Sequence, residues 1–154
     1  WPVSLGRTVL VVACDVGDAE ATHSFLPQAN LASVLHAAGV LQDTIIRSMT
    51  THDIHAVFEA KALAAKHLDF AVAPRPLVAL GLFSSVVSMF GNVGQANYAG
   101  ANAYLDALAS SRRRHGILGS SLRLPAVRGA GMGATTFNKE QLESMPAISL
   151  EEFA

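Results

Sequence analysis

Three stretches of the chain are continuously apolar, and each is followed by a turn signal. They cover residues 8–13, 31–38 and 77–83, and a weaker fourth stretch covers residues 119–124. An apolar run of this length, bounded by Gly, Pro, Asp or Ser, is typical of a strand that is buried on both faces. The pattern therefore predicts four short strands.

Two segments between these runs are predicted to be helices, the first from the helical spacing of its apolar residues. The first begins at Thr51, a residue type that caps helices, and continues to about Leu68. The second is rich in alanine and covers residues 95–115, ending in cations and then Gly, which is a stop signal. A Ser-Leu-Glu-Glu sequence from Ser149 predicts one more helix start in the polar tail, residues 135–154.

Strands that alternate with helices predict right-handed crossovers and a parallel sheet, which is an α/β fold. We expect one domain over residues 1–154, since no linker or repeat divides the chain. Ligands of such sheets bind beyond the carboxyl ends of the strands. The predicted strands end near Asp15, Gly39, Ser85 and Pro125.

Composition narrows the classes of partner. The formal net charge of -1 gives no electrostatic reason to expect nucleic acid or an anionic membrane. The most apolar stretch, residues 77–90, is shorter than the ~20 residues of a spanning helix. No secretion signal is visible, and a single cysteine, Cys14, cannot form an internal disulfide. We therefore expect the cytoplasm, with an organelle such as a plastid also compatible.

Lys61 lies on the apolar face of its predicted helix, three residues after Phe58. Either its ammonium reaches water past the edge of the core, or the lysine is buried at a functional site. Tyr98 and Asn102 are four residues apart, so they share one helix face, and Ser85 closes the third strand. Taken singly, each of these residues also has an ordinary structural interpretation.

The order and spacing of these residues resemble a known family. Residues 83–109, FSSVVSMFGNVGQANYAGANAYLDALA, are similar to the active-site segment of ketoreductase domains in modular polyketide synthases, and animal fatty acid synthases carry a related segment. Residues 36–43 resemble the fourth strand of that family, residues 14–16 the end of its third strand, and residues 131–133 the stretch after its last catalytic strand. Together these matches span residues 8–133 and imply a Rossmann-like sheet of the short-chain dehydrogenase/reductase superfamily.

In ordinary short-chain reductases a lysine follows the catalytic tyrosine by four residues, but here Asn102 holds that place. The polyketide branch exchanges the two, and Lys61 lies 37 residues before Tyr98, where that branch has its lysine. The resemblance implies reduction of a β-ketoacyl thioester on an acyl carrier protein by NADPH. Tyr98 would donate the proton, and Lys61 would lower its pKa of about 10. Ser85 would bond the substrate oxygen, and Asn102 would orient Lys61 and a water.

The family also implies the residues that contact the cofactor. Asp15 and Val16 would meet its adenine end, and small residues would let the backbone approach the ribose. Those small residues are Ala37, Ala38 and Gly39, while Pro125, Ala126 and Val127 would flank the nicotinamide. Family members commonly have Trp-Gly where this chain has Leu124-Pro125, which departs from the pattern.

Two residues bear on stereochemistry. Asp43 ends a Leu-Gln-Asp sequence that resembles the Leu-Asp-Asp motif of B-type domains. Phe90 stands eight residues before Tyr98, where A-type domains tend to have Trp. The resemblance therefore favours a D-configured alcohol.

Two further groups of charged or histidine residues are explained more simply by ordinary structural roles than by function. His52 and His55 are three residues apart on one helix, but no further ligand has convincing spacing, so we predict no metal site. Arg112–Arg114 could dock an acidic carrier protein, although cations that complement the helix dipole explain them more simply.

A Gly-rich phosphate loop of the form G-x-G-x-x-G does not occur in this sequence. The family pattern implies that the first two strands are also lacking, so the sheet should have open strand edges. One interpretation is the catalytic part of an active ketoreductase whose remaining N-terminal part supplies the loop. The alternative is a catalytically inactive fragment that assembles on a partner. A free-standing reductase of another ketone is disfavoured by the exchanged Lys and Asn.

Overall fold

The structure, a computed structural model, describes residues 11–26, 31–73, 75–128 and 147–153. Its helices and strands alternate along most of the chain. In chain order they are α1 Ala19–Phe25, β1 Ser33–His36, α2 Thr51–Phe58, a π-helical segment Glu59–Leu63, α3 Ala64–Val72, β2 Ala79–Ser85, α4 Val87–Phe90, α5 Ala96–Arg114, β3 Ser120–Leu124, β4 Ala126–Val127, β5 Ala147–Ile148 and α6 Leu150–Phe153.

The central sheet is parallel, with strand order β1-β2-β3. A second parallel pair joins β4 to β5. The predicted α/β class with a parallel sheet and flanking helices is confirmed. The strand predicted over residues 31–38 shortens to four residues, and the one predicted over 77–83 is displaced toward Ser85.

The strand predicted over residues 8–13 is wrong for the positions that the structure describes. Residues 11–15 have no regular secondary structure, and Val11 is 88% exposed. Residues 8–10 lie outside the described residues. An apolar run becomes a strand only when a neighbouring strand pairs with its backbone, and no described strand lies beside this one.

The first long helix differs from its prediction at both ends. Thr50, not Thr51, is the N-cap, because its hydroxyl accepts a bond from the Asp53 N–H while the Asp53 carboxylate accepts one from the Thr50 N–H. The helical path then continues through the π-helical segment and α3 to Val72, beyond the predicted end at Leu68. No pattern of apolar residues predicts the π-helical segment.

A short helix after the first apolar run was not predicted from the sequence. It is α1, whose N-cap Asp18 accepts bonds from the N–H groups of Glu20 and Ala21. In the tail, Ser149 caps α6 through a reciprocal pair of bonds with Glu152. Residues 131–133, 135–146 and 154 lie outside the described residues.

The core lies between β2 and the helices α3 and α5. Leu80 and Leu82 project from β2 into a cluster with Leu68 of α3 and Leu105 of α5, and all four are buried. The opposite face of the sheet carries Leu35, which pairs with Gly81 and is 68% exposed. The two helices therefore lie on one face, where they can place side chains beside the ends of the strands. Within the described ranges, no helix has the length and hydropathy needed to cross a bilayer.

Candidate active site

Three elements bring the four predicted catalytic residues to one edge of the sheet. Ser85 is the last residue of β2, and Tyr98 lies in the first turn of α5. Lys61 occupies the centre of the π-helical segment, and Asn102 follows one turn after Tyr98 on the same face of α5. This edge is the one at which the carboxyl ends of parallel strands meet, where ligands of such folds bind.

Lys61 is buried to 3% exposure and is held by main-chain oxygens. Its Nζ donates to the carbonyl of Phe83 at 3.1 Å and to that of Ala38 at 3.5 Å. The same Nζ lies 5.5 Å from the centre of the Tyr98 ring, within cation–π range. Lys61 is therefore buried and does not reach water past the edge of the core.

Burial also changes the acidity of this lysine. Removal of the ammonium from water lowers the pKa of Lys61 to about 8. Two carbonyl dipoles stabilise the cation less than bulk water does, and no carboxylate among the described residues forms an ion pair with it. Most Lys61 side chains are consequently still charged at neutral pH, and the charge is lost as the pH rises through about 8.

Tyr98 is half-buried, and its pKa is not lowered as the sequence predicted. Burial raises the pKa of its hydroxyl, and the nearby charge of Asp43 raises it further. Side-chain hydrogen bonding with Asn102 and Ser85 acts in the opposite direction and is outweighed. The physical reason lies in the geometry of Lys61, whose ammonium faces the ring and is directed to carbonyls, rather than bonding the phenol oxygen.

Ser85 and Asn102 are both buried beside this tyrosine. Ser85 Oγ accepts a bond from the N–H of Val87 at 3.3 Å, so its own proton remains available to donate. Asn102 is fully buried, and its Nδ2 donates to the carbonyl of Tyr98 at 2.9 Å. The other amide atom, Oδ1, has no hydrogen-bond partner. A buried acceptor without a partner costs free energy, which is typical of a site that binds a further donor.

Polar contacts anchor the start of α5 against the loop that follows β1. Gln95 Nε2 donates to Asp43 Oδ2 at 2.8 Å. The side chain of Asn97 is buried, and its Nδ2 donates to the carbonyls of Gln42 and Asp53. Sequence reasoning missed Gln95 and Asn97, although their position beside Tyr98 in a polar helix start could have indicated them.

Six of the predicted cofactor residues lie at the ends of two central strands. Ala37, Ala38 and Gly39 follow β1, and a Cβ added to Gly39 would lie 3.3 Å from Lys61 Nζ. Pro125 follows β3, while Ala126 and Val127 form β4. Both groups adjoin strand ends, and a side chain at position 39 would be in tight contact with Lys61.

Asp15 and Val16 lie in a turn that contacts Glu59, the first residue of the π-helical segment. The Asp15 carboxylate accepts a bond from Gly17 N–H at 2.9 Å, and a Cβ added to Gly17 would lie 3.3 Å from the Glu59 carbonyl oxygen. This turn is open to solvent on one side, where Cys14 and Asp15 line a depression with Ala21, Ser24 and Phe25 of α1.

The remaining candidate residues differ in exposure. Phe90 is 79% exposed at the end of α4. Arg112 is buried, forms an ion pair with Asp69 and donates to the carbonyl of Leu118, while Arg113 donates to that of Gly119. Arg112 is therefore structural, and the alternative of a carrier-protein docking patch at Arg112–Arg114 loses this cation, while Arg113 and Arg114 are exposed. His52 and His55 are exposed, and the described residues contain no cluster of three potential metal ligands.

Most of the chain matches one protein family. The family model for the KR domain, the ketoreductase domain of polyketide synthases, matches residues 3–129. This chain belongs to the KR-domain family. The resemblance predicted from residues 83–109 is thus confirmed.

Curated relatives of this KR-domain chain include very long synthases. Polyketide synthase GfsA of Streptomyces halstedii is 47% identical over 122 residues, which are 77% of this chain and 2% of that protein. Mycoketide-CoA synthase of Mycobacterium tuberculosis is 40% identical over 121 residues, 76% of this chain and 3% of that protein. The chain therefore spans only a few per cent of the length of the curated relatives that it matches.

Solved structures match over nearly the whole chain. The first ketoreductase of the tylosin polyketide synthase has a TM-score of 0.87 at 34% identity, covering 96% of this chain and 33% of the solved one. A structure of A-type ketoreductases from a modular polyketide synthase also has a TM-score of 0.87, at 37% identity, and covers 96% and 32%. The KR-domain chain thus corresponds to about a third of those solved chains.

Proposed function

We propose that this KR-domain chain carries the catalytic residues for NADPH-dependent reduction of a β-ketoacyl thioester to a β-hydroxyacyl thioester. The observation that supports it best is the convergence of Lys61, Ser85, Tyr98 and Asn102 at one strand edge. A buried lysine against a tyrosine ring has little value for stability, because desolvation of the ammonium opposes folding. Its placement is explained by a chemical role at this edge.

The reduction adds a hydride to the ketone carbon and a proton to its oxygen. When bound, the nicotinamide cofactor supplies the hydride. Tyr98 donates its phenol proton to the oxygen, and Ser85 donates a hydrogen bond to that same oxygen as negative charge develops on it. Lys61 stabilises the tyrosinate that remains, because its ammonium lies against the ring. Asn102 offers the free Oδ1 to a water that returns a proton to Tyr98.

The residues at the strand ends fit the cofactor that this chemistry needs. Ala37, Ala38 and Gly39 have little or no side chain, so a ribose can approach the β1 end and the Lys61 ammonium beside it. We propose that Asp15 and Val16 contact the adenine end, and that Pro125, Ala126 and Val127 flank the nicotinamide. The pyrophosphate requires the Gly-rich loop, which the proposal assigns to the remaining N-terminal part of the ketoreductase domain.

The substrate in this proposal is carried by an acyl carrier protein. A thioester on a flexible carrier arm can reach the edge of the sheet where the strands end. The end of α4, which follows β2 at this edge, carries the exposed Met89 and Phe90. Arg112 is buried and ion-paired within the fold, so it is not proposed as a docking residue. The same proposal is compatible with the cytoplasm, where carrier proteins and NADPH both occur, and equally with an organelle such as a plastid.

Turnover tests the proposal directly. The full-length protein that contains these residues is given a short β-ketoacyl thioester surrogate, and loss of NADPH absorbance is followed. Tyr98→Phe should abolish reduction, whereas Tyr104→Phe, which removes the hydroxyl of the other tyrosine of α5, should preserve it. If the wild-type protein binds NADPH and reduces no ketone offered, the alternative of an inactive assembly fragment is the better account.

Product configuration tests the stereochemical part of the proposal. Asp43 accepts a bond from Gln95, and its charge acts on Tyr98; this proximity supports our proposal that Asp43 favours one face of the ketone and the D alcohol. Two of the solved structures that match are described as A-type or A1-type ketoreductases. Chiral chromatography of the β-hydroxy acid distinguishes the possibilities, and an L product would overturn the role proposed for Asp43.

A further inference from the structure

The side chain of His36 contacts the main chain of Lys61. His36 is the last residue of β1 and is buried to 3% exposure. Its Nε2 lies 3.0 Å from the carbonyl oxygen of Lys61. A carbonyl oxygen can only accept, so the ring nitrogen must donate, and Nε2 carries the proton. Burial lowers the pKa of His36, with the charge of Lys61 acting in the same direction, so the ring is neutral at physiological pH.

This bond falls on an irregular part of the helix. Lys61 is the middle residue of the π-helical segment Glu59–Leu63, where the regular hydrogen-bond pattern of α2 and α3 is interrupted. Such segments interrupt helices frequently at functional sites. The Lys61 carbonyl oxygen accepts a bond from the backbone N–H of Ala64, and His36 adds a second bond from the sheet, so a side chain outside the helix also holds the irregular turn.

The end of β1 therefore holds Lys61 at two points. His36 bonds its carbonyl oxygen, and two residues later the Ala38 carbonyl accepts from its Nζ at 3.5 Å. The chain between these contacts is short, so displacement of the lysine main chain would also displace the ammonium from Ala38 and Phe83. No other described side chain bonds this carbonyl.

We propose that His36 is a positioning residue, which fixes the π turn so that the Lys61 ammonium stays between the strand-end carbonyls and against the Tyr98 ring. The inference rests on the function proposed above for Lys61. It identifies a residue that contacts neither substrate nor cofactor, yet sets the location of the charge that stabilises tyrosinate. His36→Met and His36→Gln form a matched pair of similar length, of which only Gln retains a donor.

Kinetics provide the first readout, in the full-length protein. His36→Met should lower kcat about 10- to 100-fold while the ketone KM changes little, because misplacement of a catalytic group affects the chemical step. His36→Gln should recover most of the loss. In a Lys61→Met background, His36→Met should cause no further loss, because the effect acts through the lysine. Equal losses for Met and Gln, or additive losses in the double variant, would overturn the proposal.

Lysine labelling provides a second readout that needs no turnover. Acylation by a small anhydride, followed by peptide mass spectrometry, compares Lys61 with the exposed Lys66 in the same sample. His36→Met should increase labelling of Lys61 severalfold relative to Lys66, while His36→Gln and the control His67→Met should leave the ratio unchanged. If the ratio is the same in all variants, His36 does not position Lys61. A wild-type protein without turnover would refute the proposed function, and the labelling ratio would still decide the role of His36.

Discussion

Removal of the Lys61 ammonium is the most direct test of the proposed mechanism. Lys61→Met retains the length of the side chain and deletes its charge. The ammonium lies 5.5 Å from the centre of the Tyr98 ring. At that distance and an effective dielectric constant of about 20, a unit charge stabilises a tyrosinate by at most about 3 kcal/mol, an attraction that burial of the hydroxyl outweighs, because the pKa of Tyr98 is raised. That free energy corresponds to roughly a 100-fold decrease in kcat if all of it is expressed in the transition state.

The pH dependence provides a signature of the same residue. Lys61 has a pKa of about 8, so its charge is present below that pH and is lost above it. The kcat of the wild-type protein should therefore fall as pH rises through about 8, and this decline should be absent from Lys61→Met. Because burial already disfavours the ammonium, the Met variant should be at least as stable as the wild type.

The assay is loss of NADPH absorbance with a β-ketoacyl thioester, measured with the full-length protein across pH. Lys66→Met removes an exposed lysine five residues further along and should leave kcat unchanged. The reasoning is refuted if Lys61→Met retains kcat within about threefold of the wild type while Tyr98→Phe is inactive. In that case the lysine would be structural, although the tyrosine would keep its role.

Two further predictions concern stability, measured by pulse proteolysis across urea. Arg112→Met breaks a buried ion pair with Asp69, whose side chain is 26% exposed, so we expect a cost of about 2 kcal/mol, below the usual value for a fully buried pair. The exposed Arg114→Met should stay within about 0.5 kcal/mol of the wild type, and equal effects would refute the assignment. Asp106 is partly buried, which favours its protonated form, but hydrogen bonds from Arg123 and Ser88 outweigh this and lower its pKa. The ionised Asp106 carboxylate therefore contributes its full stabilisation above the ordinary carboxyl pKa of about 4. That stabilisation is lost as the pH falls through the lowered pKa of Asp106. We therefore expect the free energy of unfolding to decrease less on acidification in Asp106→Asn than in the wild type.

Local patterns predicted some elements well and others poorly. Residues 95–115 were predicted as a helix because alanine content and the Arg-rich end followed by Gly agree, and α5 has nearly the same bounds. The run at residues 8–13 was as apolar as that of β2, yet its described part forms no strand. A strand depends on a partner in space, and the composition of a segment cannot specify whether that partner is present.

The sequence by itself determined the chemistry available: the residue types, their order, and the helical spacing that places Tyr98 and Asn102 on one face. It could not determine that Lys61 interacts with main-chain carbonyls, because Ala38 and Phe83 meet it only when two strands end beside the same helix. The raised pKa of Tyr98 and the bond from His36 also depend on burial and on contacts between distant segments. Such contacts are made by tertiary packing, since desolvation and hydrogen-bond geometry depend on neighbours in space, not on neighbours along the chain.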